Sequence, residues 1–181
     1  MKIIFLDFDG VINSWPHLEA MEKGGEPPQD DLEREFYALP REEGDDPDFL
    51  LWKYRMFSRQ LVGLVGQIIN RTGAKIVVSS SWRRHYDLQG LRNYLRCHGL
   101  KDSDVIDITP TDLHRNKELD HIPRGLEIRT WLDAHPEVTS FVVLDDDNDM
   151  EEVWDHFIQT DSDLGITQEN VDQAVRILGG V

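Results

Sequence analysis

Residues 2–10 read KIIFLDFDG, a short apolar run that ends in two aspartates and a glycine. Such a run is typical of a buried strand in a parallel sheet. Side chains two residues apart just past a strand end can point into one site, so we expect Asp7 and Asp9 to lie together. Two neighbouring carboxylates repel each other unless a positive group lies between them. Because Mg²⁺ takes carboxylate ligands together with substrate phosphate, this stretch indicates a magnesium site.

Two later apolar runs also end in polar groups. Residues 74–78 (AKIVV) are followed by three serines, and residues 140–144 (SFVVL) are followed by the acidic string DDDND. Each string alone would be better explained as a solvated or helix-capping turn. In an open parallel sheet, however, ligands bind at the carboxyl ends of the strands, where these strings would converge. Four or more carboxylates there favour a bound cation, and the serines are suited to phosphate oxygens.

The intervening segments have helical spacing. After Ser58, a capping residue, five apolar side chains fall on one face before Gly73 stops the helix: Leu61, Leu64, Val65, Ile68 and Ile69. Further helices are predicted at 88–95, 124–134 and 167–178, and further strands at 105–108 and 157–160. This alternation predicts an α/β fold, a Rossmann-like open parallel sheet with helices on both faces, in a single domain over 1–181.

Residues 13–56 interrupt the alternation. Twelve acidic and three basic residues lie between Glu19 and Asp48, so this stretch carries −9 of the formal net charge of −16. Glycines and prolines punctuate it, and only a short helix over DDLEREFYAL is indicated. We therefore expect a small acidic cap that contributes little to the core and acts as a partial lid.

The composition limits the partners and the location. A chain with 35 acidic and 19 basic residues repels phosphate backbones at long range, which disfavours extended nucleic-acid binding. The single cysteine, Cys97, excludes a disulfide framework and a Cys-rich zinc site. The longest apolar runs have about four residues, whereas a membrane helix needs about 20. We expect no membrane association and a cytoplasmic location.

Basic side chains near these motifs are candidates for neutralising a phosphoryl group. Arg124 opens the helix in PRGLEIRTWL, where the helix dipole disfavours a cation, and Lys117 lies in the preceding loop. The sequence does not decide between them. Arg83 and Arg84 follow the serines, and we expect at least one of them to be a solvated surface residue.

Four strings, in order along the chain, resemble the motifs of the haloacid dehalogenase-like (HAD) phosphohydrolases: FLDFDGV, KIVVSSSWR, RGLEI and FVVLDDDND. The resemblance covers nearly the whole chain except 13–56, which lies where this family inserts a cap. More narrowly, SSSWR and LDDDND are similar to the small HAD domains associated with RNA-repair proteins. The resemblance implies a Mg²⁺-dependent phosphatase.

The resemblance also implies catalytic roles. Asp7 would attack phosphorus and form an aspartyl-phosphate, and Asp9 would protonate the leaving alcohol and then activate water. Arg124 stands at the position of the cation, where the family more commonly has a lysine.

Ligand roles follow in the same way. Ser80, with Ser81 next, would bind the substrate phosphate, although the three serines beginning at Ser79 leave the register open by one. Mg²⁺ would be held by Asp7, Asp9 and Asp146, with Asp145 in support. In this family the second aspartate of the first motif often contributes its backbone carbonyl.

Several alternatives remain open from the sequence. The substrate of a phosphatase could be a nucleotide, a nucleic-acid end or a phosphorylated small molecule such as a sugar phosphate. The resemblance to repair domains favours a nucleic-acid 3′ end, and of the three classes we favour the first two. Trp15 and Trp82 lie beside two motifs and are able to stack on a base or sugar, although core packing is the commoner role for tryptophan. A phospho-acceptor receiver domain would use similar strand ends, and a catalytically silent HAD-like binding protein would share the fold. Retention of both Asp7 and Asp9 argues against the silent protein.

Overall fold

The computed structural model describes residues 1–23, 30–39, 47–111 and 122–179. Within these ranges five strands form one parallel sheet in the order β3-β2-β1-β4-β5. They are β1 (Lys2–Leu6), β2 (Lys75–Val78), β3 (Val105–Ile108), β4 (Ser140–Asp145) and β5 (Phe157–Gln159). The predicted α/β open parallel sheet is confirmed.

The helices cover both faces of this sheet. The described α-helices are α1 (Trp15–Glu22), α2 (Asp30–Tyr37), α3 (Pro47–Arg55), α4 (Arg59–Thr72), α5 (Leu88–Cys97), α6 (Arg124–Asp133) and α7 (Gln168–Ile177). Alternate residues of β1 belong to different core clusters: Ile4 and Leu6 pack with α4, α5 and α7, whereas Ile3 and Phe5 pack with α6. Among these helices none is both long and apolar enough to cross a membrane.

The register of the central strands places the site. Leu6 pairs with Val78 on one side and with Leu144 on the other. The ladder continues one step further, since the amide of Asp7 donates to Leu144 (3.0 Å) and the amide of Ser79 donates to Leu6 (3.0 Å). Three strands therefore end level, and the residues that follow them must emerge side by side at one edge of the sheet.

The segment over 13–56 differs from the expectation. Among its residues with described side chains, Phe36, Leu39, Leu51 and Tyr54 are buried in the core. The ring of Tyr54 stacks on Tyr94 of α5 at a centroid distance of 4.0 Å. The prediction that this segment adds little to the core is wrong for these residues. It was made from the average composition of the segment, which is acidic, whereas its short helices still have one apolar face.

A backbone hydrogen bond joins the two ends of the same segment. The amide of Ser58 donates to the carbonyl oxygen of Ile12 at 2.9 Å, so the chain returns to the point at which it left the sheet. Ser58 also caps α4, its hydroxyl accepting from the amide of Leu61, and Gly73 ends that helix with φ +70°. The sequence predicted both of these helix boundaries.

Candidate active site

The three level strand ends bring Asp7, Ser80 and Asp145 together. Asp7 and Asp145 are buried, with 5% and 1% of their surface exposed. The Ser80 hydroxyl donates a hydrogen bond to the Asp7 carboxylate. Burial raises the pKa of Asp7, against the opposing effect of the Arg124 charge. The site therefore holds a carboxylate that is short of water and has few compensating partners, the environment in which a bound cation or a proton is needed.

Arg124 supplies one compensating charge. Its Nη1 lies 3.2 Å from Asp7 Oδ1 and 3.6 Å from Asp145 Oδ2, and it also donates to the carbonyl oxygen of Ser79. Burial lowers the pKa of Arg124, but Asp7, Asp145 and Glu127 outweigh it and raise the pKa above its ordinary value. The arginine thus stays charged beside the two strand ends. Lys117, the other candidate cation, lies outside the described residues.

The start of α6 is fixed by close contacts that aim Arg124 at the site. The carboxylate of Asp149 accepts from the amide of Arg124 (2.9 Å), and the Asp149 carbonyl accepts from the amide of Gly125 (3.0 Å). A Cβ on Gly125 would lie 3.0 Å from backbone atoms of Met150. Glycine at this position therefore allows the helix to approach the loop after β4.

Three carboxylates could hold a metal ion. Asp7, Asp145 and Asp146 each offer an oxygen, and these three atoms lie within 4.8 Å of one another. Asp145 Oδ1 accepts from the amide of Asp147 (3.0 Å), while the buried Oδ2 accepts no hydrogen bond from any part of the chain that the structure describes. Burial and the neighbouring Asp7 raise the pKa of Asp145 to about 8. An all-oxygen set with an unsatisfied buried carboxylate oxygen suits a hard divalent ion such as Mg²⁺.

Gly10 lets the first loop approach Asp146. Its φ is +69°, and a Cβ at this position would lie 2.3 Å from the Asp146 carboxylate carbon. The Thr160 hydroxyl donates to the carbonyl oxygen of Gly10 (2.8 Å), which ties the loop to the strand beyond β4. A side chain at position 10 would displace Asp146, so the glycine of the FDG string has a structural reason.

Asp9 stands apart from this cluster. It is exposed, and its two oxygens accept hydrogen bonds from Asn13 Nδ2 (2.7 Å) and Trp82 Nε1 (3.0 Å). Its carboxylate is not among the clustered metal ligands, although the sequence named Asp9 as one; the backbone carbonyl is the group by which it could take part. The sequence analysis did not predict that Asn13 and Trp82 bind Asp9. Neither contact produces a recognisable pattern in the sequence.

The three serines have different positions. Ser79 and Ser80 are fully buried, whereas Ser81 is exposed. Ser80 Oγ also accepts from the amide of Trp82 (3.4 Å), which begins a 3-10 turn over Ser81–Arg84. The hydroxyl that contacts Asp7 is thus that of Ser80, the serine ranked first from the sequence.

Behind the serines lies a buried ion pair that the sequence analysis missed. Arg83 donates to Glu127 and, through Nη1, to the carbonyl oxygens of Ser79 (2.5 Å) and Ser80 (2.6 Å). Glu127 also lies 3.7 Å from Arg124 Nε. Burial lowers the pKa of Arg83 to about 10, so it remains protonated at neutral pH. The sequence did contain one sign of this pair. Glu127 is a charged residue that lies four positions before Trp131, on the apolar face of α6.

These geometries agree with a family comparison. The family model of the HAD domain in Swiss Army Knife RNA repair proteins matches residues 3–171. The chain belongs to this family. A search of the curated proteins and a search of the solved structures each gave no significant match.

Membership confirms the resemblance that the four strings indicated. The family consists of HAD domains in RNA repair proteins, which indicates a phosphohydrolase-type function in the setting of RNA repair. The matched range begins in β1 and ends in α7, so it includes every strand end described above and the segment that contributes Phe36 and Tyr54 to the core.

Proposed function

We propose that this HAD domain is a Mg²⁺-dependent phosphatase that removes a phosphomonoester from a nucleic-acid end or a nucleotide through an aspartyl-phosphate on Asp7. The observation that carries the proposal is the difference in environment between two aspartates. Asp7 is buried beside Arg124, Ser80 and Asp145, and Asp9, two residues on, is exposed and held by neutral donors. A buried nucleophile and a separate accessible acid are the two groups that covalent phosphoryl transfer requires.

In the first step an oxygen of Asp7 attacks phosphorus as the bond to the leaving oxygen breaks. Arg124, whose Nη1 lies 3.2 Å from Asp7, and the Ser80 hydroxyl are positioned to hold the oxygens of the transferring group. Their positive charge and hydrogen bonds offset the charge that the phosphoryl group brings to a buried site. Asp9 gives its proton to the leaving oxygen, so that the product departs as a neutral alcohol.

In the second step water attacks the phosphorus of the aspartyl-phosphate. Asp9, now ionised, takes a proton from that water, and the bond to Asp7 breaks to release inorganic phosphate and restore the carboxylate. The exposure of Asp9 supports this role, because the residue must meet both the leaving group and solvent.

Asp7, Asp145 and Asp146, together with the backbone carbonyl of Asp9, are the groups that would hold Mg²⁺. When bound there, the ion supplies positive charge that offsets carboxylate repulsion and the charge of the phosphate. The unsatisfied Asp145 Oδ2 and its raised pKa support this assignment.

The substrate class rests on the family setting in RNA repair and on the exposed acid. A nucleic-acid end brings its scissile phosphate to the domain with few other contacts, which is compatible with the net charge of −16. The acidic surface still disfavours binding along an extended strand.

Phosphate release from short RNAs with a 3′- or a 5′-phosphate tests the proposal. We expect release in Mg²⁺, none in excess chelator, and none from Asp7→Asn. Asp133→Asn, at an exposed position near the end of α6, is the matched control and should behave like the unmodified protein. Stable phosphorylation of Asp7 without release would instead favour the receiver-type alternative, and no phosphorylation at all would favour the silent binding protein.

A further inference from the structure

A cavity of about 580 Å³ lies beside the candidate active site. We name it the aromatic cavity, and among the residues that line it are Trp52, Lys53, Ser81, Trp82 and Tyr86. Small-molecule sites occupy about 300–1,000 Å³, so the cavity is large enough for a substrate group. The active-site chemistry described above does not use Trp52, Lys53 or Tyr86.

One hydrogen bond and one step along the chain connect the aromatic cavity to the reacting groups. Trp82 Nε1 donates to Asp9 Oδ2 at 3.0 Å, and Ser81 directly follows the serine that contacts Asp7. Because Asp9 would protonate the leaving oxygen, the leaving group must lie against Asp9. From Asp9 the body of the leaving group can extend in two directions: toward Trp82 and the aromatic cavity, or toward a smaller cavity of about 260 Å³ that Asp9 lines together with Trp15 and Asp146.

The walls of the cavity are suited to a flat ring. Trp52 is 46% exposed, and Trp82 and Tyr86 are half-buried and roughly parallel, with ring centroids 5.8 Å apart and an interplanar angle of 29°. Exposed aromatic faces stack on nucleobases with little dependence on sequence.

The charge at the cavity is the reverse of that on the other side of the site. Lys53 Nζ lies 3.1 Å from the Tyr86 hydroxyl and 5.7 Å from the centre of its ring. On the other side, near Trp15, a cavity of about 390 Å³ is lined by three acidic residues: Glu19, Glu22 and Asp163. A polyanion leaving the site is repelled in the second direction and attracted in the first.

We propose that the aromatic cavity binds the terminal nucleoside of a phosphorylated nucleic acid. Its base stacks on the exposed ring of Trp52, and Lys53 contacts the adjoining phosphodiester. This inference rests on the proposed phosphatase function and specifies the part of the substrate that the domain recognises. It also explains how an acidic protein selects a nucleic-acid end, since one base and one diester supply the recognition without contact along the strand.

Trp52→Ala is the decisive variant. We measure kcat/KM for a phosphorylated dinucleotide, for the same compound lacking the terminal base, and for glycerol phosphate. The ratio of dinucleotide to glycerol phosphate should fall roughly tenfold to a hundredfold, as expected for the loss of one stacked base, chiefly through KM. The abasic compound should show no such fall. Trp154→Ala, which removes a 56% exposed tryptophan elsewhere, is the matched control.

Lys53→Gln tests the contact with the diester. The slope of log kcat/KM against log salt for the dinucleotide should become shallower by about 0.7, the value for one phosphate contact on a single strand. An unchanged slope would remove Lys53 from the recognition of substrate.

Two results would overturn the inference. Equal losses on all three substrates would show that Trp52 acts through the fold, and no loss on any would show that the cavity is not used. Tryptophan fluorescence in chelator, with the dinucleotide as titrant, separates these results from failure of the phosphatase function. Quenching that Trp52→Ala abolishes supports base binding even without turnover, whereas absence of quenching in the unmodified protein contradicts it.

Discussion

The two halves of the candidate active site differ in burial and in the kind of interaction that holds them together. The inner half, which consists of Asp7, Asp145, Arg124, Arg83 and Glu127, is buried and held together by opposite charges. The outer half, which consists of Asp9, Ser81, Trp82 and the aromatic cavity, meets solvent and is organised by neutral N–H donors and rings. The phosphoryl group is the same in every phosphomonoester, whereas the leaving group varies. The comparison indicates that the inner half performs the chemistry and the outer half chooses the substrate.

The inner half depends on mutual compensation. Taking a charge out of water is costly, and the attraction between partners offsets this only where the geometry is good. Glu127 faces both Arg83 and Arg124, and Arg83 also binds the carbonyl oxygens of two serines. A change to one member should therefore affect every substrate to the same degree.

The largest effect is expected from Asp7→Asn. The substitution keeps the shape of the side chain and removes the nucleophile, so phosphate release should fall by at least about a thousandfold on all substrates. The fold should remain, and the metal-free protein should not lose stability, because carboxylate repulsion is relieved. Steady-state rates and a thermal melt measure both. A residual rate above about one hundredth would contradict the covalent mechanism.

The effect of Asp9→Asn should depend on the leaving group, unlike that of Asp7→Asn. Without the acid, hydrolysis of an alkyl phosphate should fall about a hundredfold, because its alcohol leaves poorly unless protonated. An aryl phosphate with a good leaving group should lose less in the formation of the aspartyl-phosphate, which a pre-steady-state burst of phenol would reveal. Equal burst rates for both esters in the variant would contradict the role of Asp9 as the acid.

Proton and metal should compete in the inner half. The pKa of Asp145 is about 8 in the folded metal-free protein and close to 3.8 when unfolded. Between these values the folded state holds a proton that the unfolded state lacks, so the metal-free protein should become less stable as pH rises from about 4 to 8. Mg²⁺ needs the ionised carboxylate, and its apparent affinity should rise up to about tenfold per pH unit below 8.

Melting temperatures with Mg²⁺ and with chelator, taken at pH 6, 7 and 8, measure this competition. The stabilisation by Mg²⁺ should be largest at pH 8. Asp145→Asn should remove most of the stabilisation and its pH dependence, while Asp133→Asn should keep both. A Mg²⁺ effect that is constant with pH would show that Asp145 is ionised without the metal.

Glu127→Gln should give the smallest change in rate. Loss of its charge leaves Arg83 and Arg124 without a shared partner, so we expect a loss of about 3–5 kcal/mol in stability and a roughly five- to tenfold loss in kcat/KM. The loss should be equal for the dinucleotide and for glycerol phosphate, in contrast to Trp52→Ala. Glu137→Gln, at an exposed position, is the control. A loss confined to the dinucleotide would place Glu127 with the outer half.

Local patterns predicted the residues at the strand ends, but neither the Arg83–Glu127 pair of the inner half nor the contacts of the outer half. Each buried strand is a short apolar run, and the polar residue that ends it must emerge at the same sheet edge, so Asp7, Ser80 and Asp145 follow from topology. Arg124 was one of two candidate cations, with Lys117, and only the resemblance to the family motif singled it out. In contrast, the contact between Trp82 and Asp9 joins residues 73 positions apart, and no periodicity encodes it.

The acidic segment shows a second reason for failure. Its net charge suggested a solvated cap, but net charge does not reveal which face of a short helix is apolar. Phe36 and Tyr54 lie on such faces, and their rings are 5.1 Å apart. Removing residues 22–48 would therefore take away Phe36 and Leu39 and expose part of the core around Tyr94, so the segment cannot be treated as a detachable lid.

The hydrogen bond between Ser58 and Ile12 has a consequence for how such domains diversify. It joins the two ends of the excursion that carries Trp52 and Lys53, so that a replacement of different length could be grafted at the same two points. The replacement segment would have to pack against the surface of α5, but it would not have to contact the strand ends. Over evolutionary time the substrate could then be exchanged while Asp7 and its neighbours stayed in place, and new specificity would arise close to the bond that is broken without a change in the groups that break it.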